Sequence, residues 1–160
     1  MDKIPENKTR KRLRITLCVL YLFQLVFCAW PYYRAPGEGM ITESVFEMLS
    51  ALGTGNVAGV SNSDFTAITR FLPLNFIFVI IPLIGFFVCA FDKERNIKNI
   101  VSLLCALIGV VSILTIVTLP MLSLGSLLAL LVYILISFLS SLSIMARYTK
   151  SKEEYESERK

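Results

Sequence analysis

Histidine is absent from this chain of 160 residues. Its absence excludes Ser-His-Asp and Cys-His nucleophile pairs, histidine metal sites and imidazole proton relays. We therefore expect a protein that is not an enzyme and that uses no metal ion and no other cofactor.

Charged residues are missing from four long apolar stretches. No Asp, Glu, Lys or Arg occurs in residues 15–33, 71–91, 100–119 or 122–145. A charge at the centre of a transmembrane helix costs about 2.5–3.5 kcal/mol, and a helix of about 20 residues crosses the hydrocarbon core. The sequence thus predicts an all-α integral membrane protein with four transmembrane helices in one domain, residues 15–146. The lack of a carboxylate at depth argues against an ion-coupled carrier of the small multidrug type.

Paired loop cysteines and the C-x-x-C motif are also absent. The four cysteines lie within or at the ends of the apolar stretches, at Cys18, Cys28, Cys89 and Cys105. This distribution argues against a membrane thiol–disulfide relay and favours thiols that act as small packing residues.

Basic residues are scarce between the first and second stretches, where only Arg34 and Arg70 occur. They are frequent in the tails 1–14 and 147–160, and Lys93, Arg95 and Lys98 lie between the second and third stretches. Basic residues mark the cytoplasmic side, so both tails are predicted to be cytoplasmic and residues 34–70 to form an outer loop. We interpret KTRKRLR as an orientation signal rather than a nucleic-acid site. The first apolar stretch is predicted to remain as an uncleaved helix. The predicted location is a cell membrane, with a bacterial plasma membrane favoured.

The segment GTGNVAG, residues 53–59, fits the G-x-G-x-x-A form of a dinucleotide-binding loop. Such a loop follows a strand and opens a helix, whereas the preceding residues ESVFEMLSALG have helical spacing. The predicted orientation also places the segment away from cytoplasmic nucleotides. We therefore expect no nucleotide partner.

A short amphipathic helix is predicted at residues 43–52 of the outer loop. Ser44 and Glu47 have capping-box spacing, and Gly53 is expected to end the helix. The candidate partner contact is its apolar side, formed by Val45, Phe46, Met48, Leu49 and Leu52. The alternative is that this side lies on lipid or caps the ends of the bundle.

Uncharged polar and small residues interrupt the apolar stretches. Candidate interhelical polar residues are Gln24, Asn75, Ser112, Tyr133 and Ser137, and candidate packing residues are Gly85, Cys105 and Gly109. Gln24 and Asn75 are expected to differ in depth, so we predict separate interhelical hydrogen bonds rather than a direct pair or a ligand site. One face of the fourth helix carries a serine stripe, formed by Ser126, Tyr133, Ser137 and Ser140. This stripe could alternatively line a polar path, although small residues in membranes more commonly serve helix packing.

These features predict a non-catalytic multi-pass protein that acts as an accessory, stabilising or regulatory subunit of a larger membrane complex. Its expected partners are membrane lipids and another membrane protein or a second copy. The alternative is a homo-oligomeric carrier, pore or flippase for lipid-like or neutral substrates, lined by Gln24, Asn75 and the serine stripe.

Overall fold

The structure, a computed structural model, describes residues 8–34, 42–54, 72–92, 97–117 and 119–158. The helices and strands within these residues are α1 (Lys8–Phe27), β1 (Tyr33–Arg34), β2 (Thr42–Glu43), α2 (Val45–Thr54), α3 (Ile77–Phe91), α4 (Ile97–Ser112) and α5 (Leu124–Glu158). A 3-10 turn, Leu72–Phe76, leads into α3. A π-helical segment, Ile113–Val117, follows α4, and a 3-10 turn, Leu119–Met121, connects it to α5.

Three helical segments are long and apolar enough to cross a membrane: Pro73–Phe91, Ile97–Val117 and Leu124–Ala146. Helix α1 does not meet the same standard, because every stretch of 18 residues within it contains Arg10, Lys11, Arg12 and Arg14. Of the four helices expected to span a membrane, three are therefore confirmed to be long and apolar enough to do so.

The four long helices form a closed ring. α1 packs on α3 and α5, α3 packs on α4, and α4 packs on α5. Large apolar side chains on all four helices remain about half exposed on the outside of the ring; examples are Phe23, Ile84, Leu107 and Leu131. Buried positions include the polar residues Gln24, Ser102, Ser126 and Ser140. An apolar exterior around a partly polar interior is the distribution that suits a lipid environment.

The predicted boundary of the first helix is wrong at its end. The sequence pattern runs from 15 to 33, but α1 ends at Phe27 and Tyr33 belongs to β1. Trp30 precedes Pro31, and a residue before proline is disfavoured in the helical conformation. Two turn hydrogen bonds, Ala29 N–H to Val26 O and Trp30 N–H to Phe27 O, then redirect the chain.

Other boundaries differ by smaller amounts. The amphipathic helix occupies Val45–Thr54 instead of 43–52, because residues 42 and 43 pair with β1 as a strand. Gly53 does not end this helix, which continues to Thr54. The segment 55–59 of GTGNVAG lies outside the described residues. Helix α5 continues past the apolar stretch to Glu158.

Two tyrosine rings lie against glycines of neighbouring helices. The ring of Tyr21 in α1 contacts Gly85 in α3, where a β-carbon would overlap it. In the same way, a β-carbon on Gly109 in α4 would lie 2.5 Å from Tyr133 Cζ of α5. Cys105, one turn before Gly109, is 7% exposed and belongs to the same buried core. The predicted packing residues therefore lie where helices meet.

We expect Gly85→Ala to destabilise the protein by about 1–3 kcal/mol, because overpacking a close contact forces the backbone or Tyr21 to move. Unfolding in mixed detergent micelles measures this change. When Tyr21 is replaced by Leu, adding Gly85→Ala should lower the free energy of unfolding much less than Gly85→Ala does in the unaltered protein. Ile84→Val, on the exposed side of α3, is the control that should change stability little. Equal stability of Gly85→Ala and the unaltered protein would contradict the packing described.

Candidate functional site

The end of the bundle at which α1 ends and α3 begins, here called the loop end, connects several elements through backbone hydrogen bonds. Tyr32 N–H donates to Glu43 O at 2.8 Å, next to the pairing of Tyr33 with Glu43 and of Arg34 with Thr42. Val45 N–H donates to Cys28 O at 3.0 Å, which joins the start of α2 to the end of α1. These bonds fix the position of α2 on the bundle.

The same turn also contacts the α4–α5 connection and α3. Gly125 N–H donates to Pro31 O at 2.9 Å, and Tyr33 forms a β-bridge with Leu122. A β-carbon on Gly125 would lie 2.8 Å from Pro31 O, so glycine permits this approach. The hydroxyl of Tyr33 donates to Asn75 Oδ1 in the 3-10 turn before α3. Residues 28–33 therefore connect the end of α1 to the start of α2, to the α4–α5 connection, to the start of α5 and to the turn before α3.

Helix α2 begins with the predicted capping box. Ser44 N–H donates to Glu47 Oε2 at 2.6 Å, and Glu47 N–H donates to Ser44 Oγ at 3.2 Å. The backbone hydrogen bond from Ser44 lowers the pKa of Glu47, since it stabilises the carboxylate. Partial burial and the neighbouring charge of Glu47 raise the pKa of Glu43. The pKa of Glu43 is thus above the ordinary value for a glutamate, and the pKa of Glu47 is below it.

The predicted contact residues of α2 do not share one exposed surface. Val45 is fully buried and Met48 is 4% exposed, both within the protein's own core, and Leu49 packs against that core. Phe46 is 47% exposed. The side chain of Leu52 lies outside the described part of the chain. Much of the apolar side of α2 therefore caps the bundle, which was the alternative interpretation, and partner contact stays a prediction centred on Phe46.

The two amides within the bundle do not pair with each other. Gln24 Nε2 donates to the backbone oxygen of Ala129 in α5 at 2.7 Å, while Asn75 accepts from Tyr33. Both amides are almost fully buried. Each one therefore joins two different elements of the structure.

The remaining predicted polar residues lie between α4 and α5 or close to them. Tyr133 is buried against Gly109, Ser112 is buried, and Ser137 is half-buried. Ser126, also on the serine stripe, lies in the first turn of α5, where its hydroxyl donates to Ser123 O and accepts from Ser123 N–H. The structure thus uses much of this polar stripe in packing and in a local turn.

The opposite end of the bundle, here called the tail end, contains a buried cation that sequence reasoning missed. Lys98 is 2% exposed in the first turn of α4, and its Nζ donates to Asp92 O at 3.1 Å. Arg14 Nη1 donates to Ala90 O at 3.2 Å. Both carbonyls lie at the C-terminal end of α3, where cations are favourable. Lys98 also continues the stripe of Ser102 at helical spacing, which is the signal that could have revealed its burial.

Comparison with known proteins finds no family model that matches the chain, and no curated protein or solved structure that is similar to it. The class of protein therefore follows from the fold alone. It is a helical protein with three helices suited to cross a membrane and with buried polar contacts between them. Within the described parts of the chain, no three His, Cys, Asp or Glu residues are grouped as metal ligands.

We expect Tyr33→Phe to destabilise the protein by about 1–3 kcal/mol, because it leaves the buried Asn75 Oδ1 without its donor. Unfolding in detergent, followed by loss of near-ultraviolet circular dichroism, measures the effect. Tyr32→Phe is the matched control: Tyr32 is just as buried, but no described residue hydrogen-bonds to its hydroxyl. The role assigned to Tyr33 is refuted if the two variants are equally stable.

Proposed function

We propose that the chain is a four-span membrane protein that serves as an accessory, stabilising or regulatory subunit of a larger membrane complex. The observation that carries this proposal is the use of the buried amides within the protein itself. Gln24 is bonded to Ala129 O, and Asn75 is bonded to Tyr33. A solute path needs polar groups that can exchange bonds with the solute, whereas these two groups hold helices together.

The fourth span is α1. Its residues 15–27 carry no charge and lie between α3 and α5, two helices that are suited to cross a membrane. Ile15, Val19 and Leu22 are each between 43% and 49% exposed, as expected for a lipid-facing side. Thirteen helical residues cover only about 20 Å, so the turn after Phe27 has to complete the crossing. Arginine side chains at the start of α1 can extend to the interface and shorten the required span.

Orientation follows from the basic residues. Lys8, Arg10, Lys11, Arg12 and Arg14 all lie in the first two turns of α1, and no acidic residue accompanies them there. The positive-inside rule places such a cluster on the cytoplasmic side. Because α1 and α5 both reach the tail end, the two termini are cytoplasmic and α2 lies on the outer surface.

We expect a membrane-impermeant maleimide to label Arg34→Cys in intact cells and to leave Lys8→Cys unlabelled. Permeabilised cells should allow labelling of both positions. The unaltered protein is the control, since Cys28, Cys89 and Cys105 are buried and Cys18 is partly buried. Equal labelling of both variants in intact cells would show that α1 does not cross the membrane.

The proposed partner surface is the exposed side of α2. Phe46 is 47% exposed although it lies on a helix whose neighbouring apolar residues are buried. Trp30, also at the loop end, is 43% exposed. Large aromatic side chains contribute strongly to protein interfaces when a partner buries them. The partner consistent with this surface is another membrane protein that presents an apolar groove at the outer interface.

Purification of the tagged protein from its native membrane in polymer discs tests the proposal. We expect a second protein at fixed stoichiometry, and we expect Phe46→Ser to reduce its recovery at least about tenfold, which is the effect of losing a contact worth 1.4 kcal/mol or more. Ser50→Ala, on an exposed position of the same helix, is the matched control and should retain the partner.

A pure homo-oligomer that transports a neutral or lipid-like solute in liposomes would contradict the subunit proposal. That result would favour the carrier, pore or flippase alternative. If a partner is present but Phe46→Ser retains it fully, the subunit role remains and the contact surface lies elsewhere.

A further inference from the structure

The basic residues at the tail end divide into two sets. Arg14 donates to Ala90 O and Lys98 donates to Asp92 O, so the protein itself uses these two cations. Lys11 and Arg12, within one turn of Arg14, have exposed side chains, and no described residue forms a hydrogen bond or an ion pair with either of them. The second set is therefore open to an anionic ligand from outside the chain.

The sequence at the start of α1 sets these charges against one another. Lys11 and Arg12 lie three and four residues after Lys8, the spacings at which like charges on a helix repel. The first turn of α1 contains no acidic residue, and the positive end of the helix dipole disfavours cations there. A negatively charged ligand beside these side chains would offset both effects.

The exposed cations lie on the same face of α1 as its exposed apolar side chains. Helical spacing aligns this face along Lys8, Lys11, Arg12, Ile15, Val19 and Leu22. At a rise of about 1.5 Å per residue, Arg12 lies about 4.5 Å and Lys11 about 6 Å before Ile15 along the helix axis. A headgroup layer adds about 5–7 Å to each side of the hydrocarbon core. Both cations therefore lie at headgroup depth when the apolar part of this face is in lipid.

We propose that Lys11 and Arg12 bind the headgroup of an acidic phospholipid in the leaflet at the tail end. This proposal rests on the four-span topology proposed above, which places the start of α1 at the cytoplasmic leaflet. Ammonium and guanidinium groups donate charge-assisted hydrogen bonds to phosphate oxygens. A zwitterionic headgroup carries its own cation beside the phosphate, so an acidic headgroup is preferred. Nucleic acid is disfavoured, because the apolar side chains that continue this face lie in lipid.

Native mass spectrometry of the full chain in a nonionic detergent tests the proposal, because it resolves each bound lipid. We expect the first phosphatidylglycerol to bind at least about tenfold more tightly than the first phosphatidylcholine, and the difference to shrink at high salt. Lys11→Gln/Arg12→Gln should weaken binding of phosphatidylglycerol by about thirtyfold, the combined effect of two basic residues at an anionic surface. Binding of phosphatidylcholine should change little.

Two control variants separate the site from net charge. Lys11→Arg/Arg12→Lys exchanges the two residues, keeps both charges and should retain the preference for phosphatidylglycerol. Arg34→Gln removes an exposed cation at the loop end and should also retain it. Glutamine forms helices well at exposed positions, so the double glutamine variant should fold, and the salt dependence is measured on the unaltered protein in any case.

Three outcomes would overturn the proposal: no preference in the unaltered protein, an unchanged preference in Lys11→Gln/Arg12→Gln, or equal loss in a control variant. Equally tight binding of glycerol phosphate, which has no acyl chains, would show a site for a soluble anion and would also overturn it. The maleimide labelling of Lys8→Cys reports the topology separately. Failure of the lipid preference is therefore distinguishable from failure of the four-span topology.

Discussion

Lipid gives two apolar helices no hydrophobic gain on association, so this bundle depends on close packing at small residues. Gly85 and Gly109 provide it, and each admits a tyrosine ring from the adjacent helix. The separation of α1 from α3, and that of α4 from α5, follows from these two contacts. Tyr21 also donates to the backbone oxygen of Ser102 at 3.3 Å, so that one side chain joins α1, α3 and α4.

The same environment explains the arrangement of the loop end. Backbone groups near a membrane interior need partners from within the protein, because few waters are available. The carbonyls of Cys28, Pro31 and Glu43 each accept from an N–H of a different segment. As a result, backbone bonds and the burial of Val45 and Met48 attach α2 to the bundle. Phe46 is left outside this attachment, which makes it available for contact with another molecule.

Periodicity and charge were sufficient to predict three membrane-suited helices, the capping box at Ser44 and the small-residue contacts at Gly85 and Gly109. They were insufficient for the β1–β2 pairing, because two-residue strands leave no alternating pattern to read. The burial of Lys98 was missed because charge alone suggested a loop. Partners such as Ala129 O for Gln24 depend on how helices cross, which a single sequence does not encode in any local pattern.

The hydrogen bonds of the buried polar residues favour a subunit over a carrier. In the alternative function, Gln24, Asn75 and the serine stripe line a polar path; of these residues, Gln24, Asn75 and Ser126 are each hydrogen-bonded to a protein group. Opening a path along them would break bonds that hold α1 to α5 and the loop end to α3. The apolar side chains on the exterior and the aromatic ring of Phe46 are exposed, so binding a partner there would not break these bonds. Association through the surface therefore costs the fold less than transport through the interior, and this difference favours a subunit over a carrier.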